Sequence, residues 1–226
     1  EIATRPLDFD EVPIFNTTAG YGNFILPGVL VLIIQQAMLL GVGMIAGTRR
    51  EERLTNPYPT SLHGWHSWLA AIQTLAGQST AYLLIFSVML AWVSLAVPHI
   101  FGFVSMVHAW DLLLFFTPYL LACVFFAITF SALVRYRESV MLIVVFMSVP
   151  LLFMSGVSWP QSNIPGVWQG VSCLFPSTFC IRGFVRMSSM GALLGDVQSE
   201  YNSMWLQVAV YGVFALIITK LRTRMT

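Results

Sequence analysis

The charged residues of this 226-residue chain come in clusters, and the stretches between them constrain the fold more than any other feature. No Asp, Glu, Lys or Arg occurs from Val12 to Thr48, Leu54 to Trp110, Leu112 to Val134, Ser139 to Ile181, or Tyr201 to Thr219. Apolar runs of about 18 residues or more are long enough to cross the hydrocarbon core of a bilayer. Only 9% of the chain is charged and 57% is apolar, against about 25% charge in a soluble domain. Such a chain has too few polar side chains to cover a water-facing surface. Soluble, disordered, collagen-like and disulfide-scaffold classes are excluded, and an all-α polytopic membrane helix bundle is expected.

Five transmembrane helices are predicted, over about Phe24–Ala46, Trp68–Val97, Leu112–Val134, Val140–Met154 and Met204–Thr219. Pro27 falls near the start of the first, where a helix tolerates it. Basic residues fix the orientation, because cytoplasmic loops are enriched in them. With the N-terminus outside, Arg49, Arg50, Arg53, Arg135, Arg137, Lys220, Arg222 and Arg224 lie inside, leaving Arg5, Arg182 and Arg186 outside. The C-terminus is then cytoplasmic. Residues 1–22 are acidic and contain proline, and they read as the end of an external domain. An external start with no span before it implies an earlier span, so the intact protein is expected to have six.

The stretch from Ser155 to Tyr201 is too apolar for a solvated loop and too interrupted by Pro and Gly for a span. Two short helices dipping back into the outer leaflet fit it, and so does an amphipathic hairpin lying on the membrane. Joints between re-entrant helices survive at membrane depth only when protein covers them or they line a wet cavity. Cys173 and Cys180 fall in this stretch, and on one continuous helix they would lie about 10.5 Å apart, beyond disulfide reach. Pro176 between them breaks such a helix, which leaves a bridge open. Cys123 reads as a packing residue within its span.

Several chemistries are absent. Lys220 is the only lysine, and no glycine-rich phosphate loop precedes it. The spans hold no ionisable residue at mid-depth, which argues against self-powered ion-coupled transport. His63, His66, His99 and His108 all fall in or beside loops, so no pair clamps a haem within the bilayer; His63 and His66 make at most a two-ligand metal site. A net charge of +1 gives no field for nucleic acid.

The costly polar groups within the spans are Gln35, Gln36, Gln73 and Gln78. They read as interhelical hydrogen-bonding groups or, in the functional alternative, as the lining of a transport path. Gly43 with Gly47, and Gly77 with Ala81, are small residues four apart and permit close helix approach. Trp65, Trp68, Trp92, Trp110, Trp159 and Trp205 sit near span ends, as interfacial anchors do. Phe115, Phe116, Phe125, Phe126, Phe130 and Phe153 read as lipid-facing or core, or as a greasy path for a lipid-like substrate. The run Arg49-Arg50-Glu51-Glu52-Arg53 is either a positive-inside anchor or a site for a protein partner; its two acids add nothing to anchoring.

Two blocks of sequence carry a family resemblance. The first is Phe15-Asn16, then Tyr21-Gly22-Asn23-Phe24-Ile25-Leu26-Pro27-Gly28, leading into the span that ends in Arg49-Arg50-Glu51-Glu52. The second is Phe153-Met154-Ser155-Gly156-Val157-Ser158-Trp159-Pro160, followed by Ile164-Pro165 and Phe175-Pro176-Ser177-Thr178. The chain thereby resembles the membrane permease subunits of bacterial ABC-2 type exporters, over nearly its whole length. The continuation Arg53-Leu54-Thr55-Asn56-Pro57 departs from the Gly-Thr that many members carry there.

The resemblance implies spans two to six of six, with residues 1–22 closing an external domain and residues 23–226 forming the transmembrane domain. It implies a permease in the inner membrane that moves a drug or lipid-like substrate outward, and a pair of permeases, identical or different. Each would engage a cytoplasmic ATPase subunit that binds the ATP and magnesium, leaving this chain without a catalytic site or cofactor of its own. Arg49, Arg50, Glu51, Glu52 and Arg53 would form the ATPase-coupling loop. Ser155, Gly156, Trp159, Pro160, Pro165 and Pro176 would belong to the external re-entrant gate. A membrane scaffold or assembly protein without a transport path is the alternative from a different class.

Overall fold

A computed structural model describes residues 21–52, 65–101, 107, 109–134, 136–156 and 163–224. Within them the chain forms α1 (Tyr21–Glu51), α2 (Trp65–Ala91), α3 (Val97–Phe101), α4 (Ala109–Phe130), α5 (Arg137–Met154), α6 (Gly166–Ser172), α7 (Pro176–Met190) and α8 (Gln198–Arg224). Five helices are long and apolar enough to span a membrane: α1, α2, α4, α5 and α8. The remaining helices are α3, a short extension of α2, and the α6–α7 hairpin. The all-α polytopic bundle expected from the charge-free runs is what the chain forms.

Helix ends differ from expectation where charge marks the expected boundary. α1 runs through Arg49, Arg50 and Glu51, so these residues cap a helix instead of opening a loop. It also begins at Tyr21, which puts Pro27 seventh in the helix. Pro118 and Pro150 likewise lie inside α4 and α5; membrane helices tolerate such prolines because neighbours re-satisfy the freed carbonyls. α8 extends from Gln198 to Arg224, well past the expected Met204–Thr219. Its charged ends are compatible with a helix because backbone bonding continues into the hydrated interface, where charge costs little. α2 passes into α3 through a widened π-turn, Trp92–Ala96, in which the Val97 N–H reaches back to the Trp92 carbonyl.

Two cross-helix contacts show that the spans alternate in direction. The last turn of α1 meets the α4–α5 turn through Arg50 and Glu51, and Lys220 near the end of α8 lies over the Trp68 ring at the start of α2, 3.2 Å from its centroid. One end of the bundle therefore gathers Arg49, Arg50, Arg137 and Lys220, and the opposite end carries the α6–α7 hairpin.

The core forms around α4, the most enclosed span. Phe115, Phe116, Tyr119, Cys123 and Val124 are buried there against Ile34 and Met38 of α1, Ile181, Phe184 and Met187 of α7, and Met204 of α8. Of the aromatics expected in core or lipid, Phe115, Phe116 and Phe126 are core, Phe125 and Phe130 are half-buried, and Phe153 is exposed. Met141, Leu142, Val145, Phe146 and Val149 of α5 face outward, as lipid-contacting residues do. Gly43 and Gly47 let α1 approach α5 closely: a Cβ on Gly43 would stand 2.6 Å from a Val140 methyl, and one on Gly47 would stand 2.8 Å from the Arg137 nitrogen. The companion pair on α2 is open, with nothing within 4 Å of a Cβ at Gly77.

Candidate functional site

The hairpin is built by its prolines and one glycine. Gly156, with φ of +86°, leaves α5 in a left-handed conformation that favours glycine. Ser155 beside it is fully buried, its hydroxyl donating to the Leu152 carbonyl. Trp159 and Pro160 lie outside the described residues. Pro165 precedes α6 in an extended conformation, and Gln169 ties that start down by donating to the Ile164 carbonyl at 2.9 Å. Pro176 opens α7, where its missing N–H leaves nothing unsatisfied. Between α6 and α7 the backbone turns through an elbow, Cys173–Phe175.

Polar side chains from neighbouring spans hold this elbow. Gln207 of α8 donates to the Cys173 carbonyl at 2.7 Å, and the Tyr211 hydroxyl donates to the Leu174 carbonyl. On the other side the Ser177 N–H, one of the free donors of the first turn of α7, donates to Gln35 Oε1 of α1 at 2.7 Å. Phe175 plugs the turn edge-on against Phe126, 5.7 Å between centroids. Gln35 lies inside α1's apolar span, Ile25–Glu51. The elbow is thus enclosed against the apolar part of a spanning helix. The hairpin therefore packs back against α1, α4 and α8.

Around the elbow the packing is close and neutral. Gln35, Tyr119, Cys123, Ser177, Thr178 and Cys180 are each at most 1% exposed. Tyr119 donates to the Val31 carbonyl at 2.7 Å, joining α4 to α1. A Cβ on Gly183 would stand 2.4 Å from the Phe115 ring, so α7 lies directly on α4. Cys123, Cys173 and Cys180 are free thiols, which closes the question of a Cys173–Cys180 bridge. Burial, with Cys123 nearby, holds the Cys180 thiol well above its ordinary value and so uncharged. Toward the outer turns of α7, Arg182 stacks on Phe179 and Arg186 pairs with Glu200 at 3.1 Å. Burial lowers the Arg182 guanidinium, with Cys173 and Glu200 opposing.

The basic end uses ionised groups instead. Arg50 donates to the carbonyls of Val134 and Ala132, capping the turn after α4. Glu51 accepts from the Arg137 N–H at 2.9 Å and pairs with its guanidinium at 3.2 Å, capping the start of α5. Arg49 and Glu52 are exposed. Arg53 lies outside the described residues. The five-residue charged run thus divides into two residues that tie α1 to the α4–α5 turn and two that face outward.

The four span glutamines also divide. Gln35 is the elbow pin. Gln36 is 9% exposed and borders a cleft between α1 and α5, with neither amide atom bonded among the described residues. Gln73 is exposed and Gln78 half-buried on α2. Gln207, Tyr211 and Tyr119 were not singled out as site residues in the sequence. Each is a hydrogen-bonding side chain in an otherwise apolar span, the same signal that drew attention to Gln35. No group of three or more His, Cys, Asp or Glu that could hold a metal occurs among the described residues.

A family profile described as ABC-2 family transporter protein matches residues 1–217. The chain belongs to this family. It is a multi-pass membrane protein and a permease subunit of an ABC transporter. The α6–α7 hairpin and the Arg49–Glu52 helix end are thereby features of an ABC-2 permease. No curated protein and no solved structure matches the chain.

Proposed function

We propose that this ABC-2 permease is the membrane half of an ATP-driven exporter that moves a hydrophobic or lipid-like substrate or drug out of the cytoplasm or inner membrane. The basic end faces the cytoplasm and the hairpin faces outward, following the eight-to-three division of basic residues. Two permeases pair, and each docks on a cytoplasmic ATPase that binds ATP and magnesium. Residues 1–22 close an external domain, and 23–226 form the transmembrane domain.

The observation that carries this reading is the elbow buried among the spans and held by their neutral side chains. A pure anchor gains nothing by breaking a helix among the spans and then satisfying its freed backbone groups from α1 and α8. A barrier that opens does, because neutral hydrogen bonds to Gln35, Gln207 and Tyr211 exchange more readily than a continuous helix unwinds. Ser155, Gly156, Trp159, Pro160, Pro165 and Pro176 shape that outer barrier. At the opposite end Arg49 and Glu52 are free to meet the ATPase, with Arg53 beside them in sequence, while Arg50 and Glu51 carry movement into the α4–α5 turn.

Purification of the full-length protein from its own membranes in mild detergent tests the reading. A stoichiometric P-loop ATPase is expected in the preparation. In the doubly reversed variant Arg49→Glu/Arg53→Glu, that association should fall at least about tenfold while the permease stays folded. A preparation that lacks any ATPase even after cross-linking would return the scaffold reading.

A further inference from the structure

We propose that the groove between the start of α2 and the end of α8 binds an anionic phospholipid. Its phosphate sits at Lys220 and Arg224, and its acyl chains run along the apolar residues above them. This goes beyond the export reading and does not depend on it. The basic end of the bundle is uneven in charge. At the end of α1 and the start of α5, acids stand among the arginines: Glu51, Glu52 and Glu138. The corner made by α2 and α8 has no such counterweight. No Asp or Glu occurs between Glu52 and Asp111, and none follows Glu200, whereas α8 closes on Lys220, Arg222 and Arg224. What attracts an anion here is the summed charge, since Lys220 has protein contacts of its own.

Depth and packing point to a lipid and not to a soluble anion. The Lys220 ammonium lies 3.2 Å from the centroid of the Trp68 ring, and tryptophan rings on spanning helices settle at headgroup level. That pair joins α2 to α8 and places the charge at the border between headgroups and hydrocarbon. On α8 the exposed residues Val213, Ile217 and Leu221 form an outward row at helical spacing. Lys220 and Arg224 continue the row, at the i+3 and i+7 positions from Ile217. On α2, Leu69 and Ile72 are exposed beside Trp68.

Apolar side chains thus flank the cation–π pair on both helices, as acyl chains need, and the basic groups below them suit a phosphate. A soluble protein partner would meet the charged groups and not the apolar rows above them. Basic pockets between spanning helices hold anionic headgroups, and each Lys or Arg near an anionic surface tightens binding about fivefold.

The test is native mass spectrometry of the full-length permease in mild detergent, titrated with phosphatidylglycerol or with phosphatidylcholine of the same chains. Phosphatidylglycerol should bind at least about tenfold more tightly. In Lys220→Gln/Arg224→Gln that preference should fall below about twofold, and in Lys220→Arg it should remain. The charge-matched control Arg49→Gln/Arg53→Gln, at the other corner, should keep it too. Equal binding of the two lipids by the wild type, an unchanged preference in Lys220→Gln/Arg224→Gln, or an equal loss in the control would each overturn the proposal. Displacement of the lipid by soluble glycerol phosphate would also overturn it, because the site would then read a phosphate without its chains. If Lys220→Gln/Arg224→Gln loses its ATPase and keeps its lipid preference, this corner serves the partner protein and the lipid site fails.

Discussion

Two places where helices of this permease are tied together use opposite chemistries. At the basic end, Arg50 caps the turn after α4 and Glu51 caps the start of α5 with a charge-assisted pair to Arg137. Inside the bundle, the elbow is held by Gln35, Gln207 and Tyr211, all neutral. The difference follows from where water reaches. A guanidinium or carboxylate near the interface keeps part of its hydration, whereas inside the bundle it would carry the full desolvation cost. Amides and a phenol satisfy backbone groups there without a charge to desolvate. The same logic makes the basic joint insensitive to loss of a single charge and the elbow sensitive to loss of a single neutral acceptor.

The largest expected effect comes from the close approaches that each joint requires. At the basic end a Cβ on Gly47 meets Arg137 backbone at 2.8 Å, whereas near the elbow one on Gly183 meets the Phe115 ring at 2.4 Å. Backbone cannot step aside, and a ring can be truncated. Gly47→Ala should therefore cost about 3 kcal/mol, at the upper end for overpacking, with no rescue by shortening the Arg137 side chain. Gly183→Ala should cost about 2 kcal/mol, and Phe115→Leu should recover at least about half of it in a double-mutant cycle. Thermal melts of the purified permease in one detergent measure all of these. Rescue of Gly47→Ala by Arg137→Ala would show that the helices separate more easily than the geometry indicates.

Next in size is the elbow pin. Gln35→Leu leaves the Ser177 N–H buried without an acceptor, which should cost about 2 kcal/mol, while Gln73→Leu, at an exposed position, should change stability by less than about 0.5 kcal/mol. Stability alone does not locate the damage, so a thiol next to the elbow is the sharper readout. Cys180 is buried and kept protonated by that burial, and it should label slowly in the wild type. Gln35→Leu should raise its labelling rate at least about tenfold. Unchanged labelling alongside a lowered melting temperature would mean that the pin supports the bundle generally and does not hold the elbow.

Much of this architecture is legible in residue types alone, and its limits have physical causes. The five spans follow from charge-free runs because a bilayer excludes charge, and the hairpin follows from Pro165, Pro176 and Gly156 breaking an apolar stretch. The signal that finds the spans also misplaces their ends, because charge reads as a stop. Backbone hydrogen bonding carries α1 through Arg49–Glu51 and α8 to Arg224 regardless. Among the polar residues, Gln35 and Gln36 are adjacent and chemically identical in sequence. One pins α7 and the other borders an outer cleft because they point about 100° apart on the helix, and only the positions of α5 and α7 give those directions meaning. Gln207 and Tyr211 were equally visible as polar groups, but their carbonyl partners are set by tertiary approach across more than thirty residues.

The smallest expected effect separates charge from hydrogen bonding at the basic joint. Glu51 makes two contacts with Arg137, a backbone N–H bond at 2.9 Å and an ion pair at 3.2 Å with the guanidinium side chain 54% exposed. Exposed pairs contribute roughly 0–1 kcal/mol and weaken with salt, whereas an acceptor at a helix start contributes about 1 kcal/mol. Glu51→Gln keeps an acceptor for the Arg137 N–H and loses only the charge, so it should cost less than about 0.5 kcal/mol. Glu51→Ala loses both and should cost about 1 kcal/mol more. Raising the salt should close the gap between wild type and Glu51→Gln and leave the gap to Glu51→Ala largely in place. Equal damage from Gln and Ala, abolished by salt, would show instead that the ion pair holds this joint, and the contrast with the neutral elbow would then rest on charge at one end and hydrogen bonds at the other.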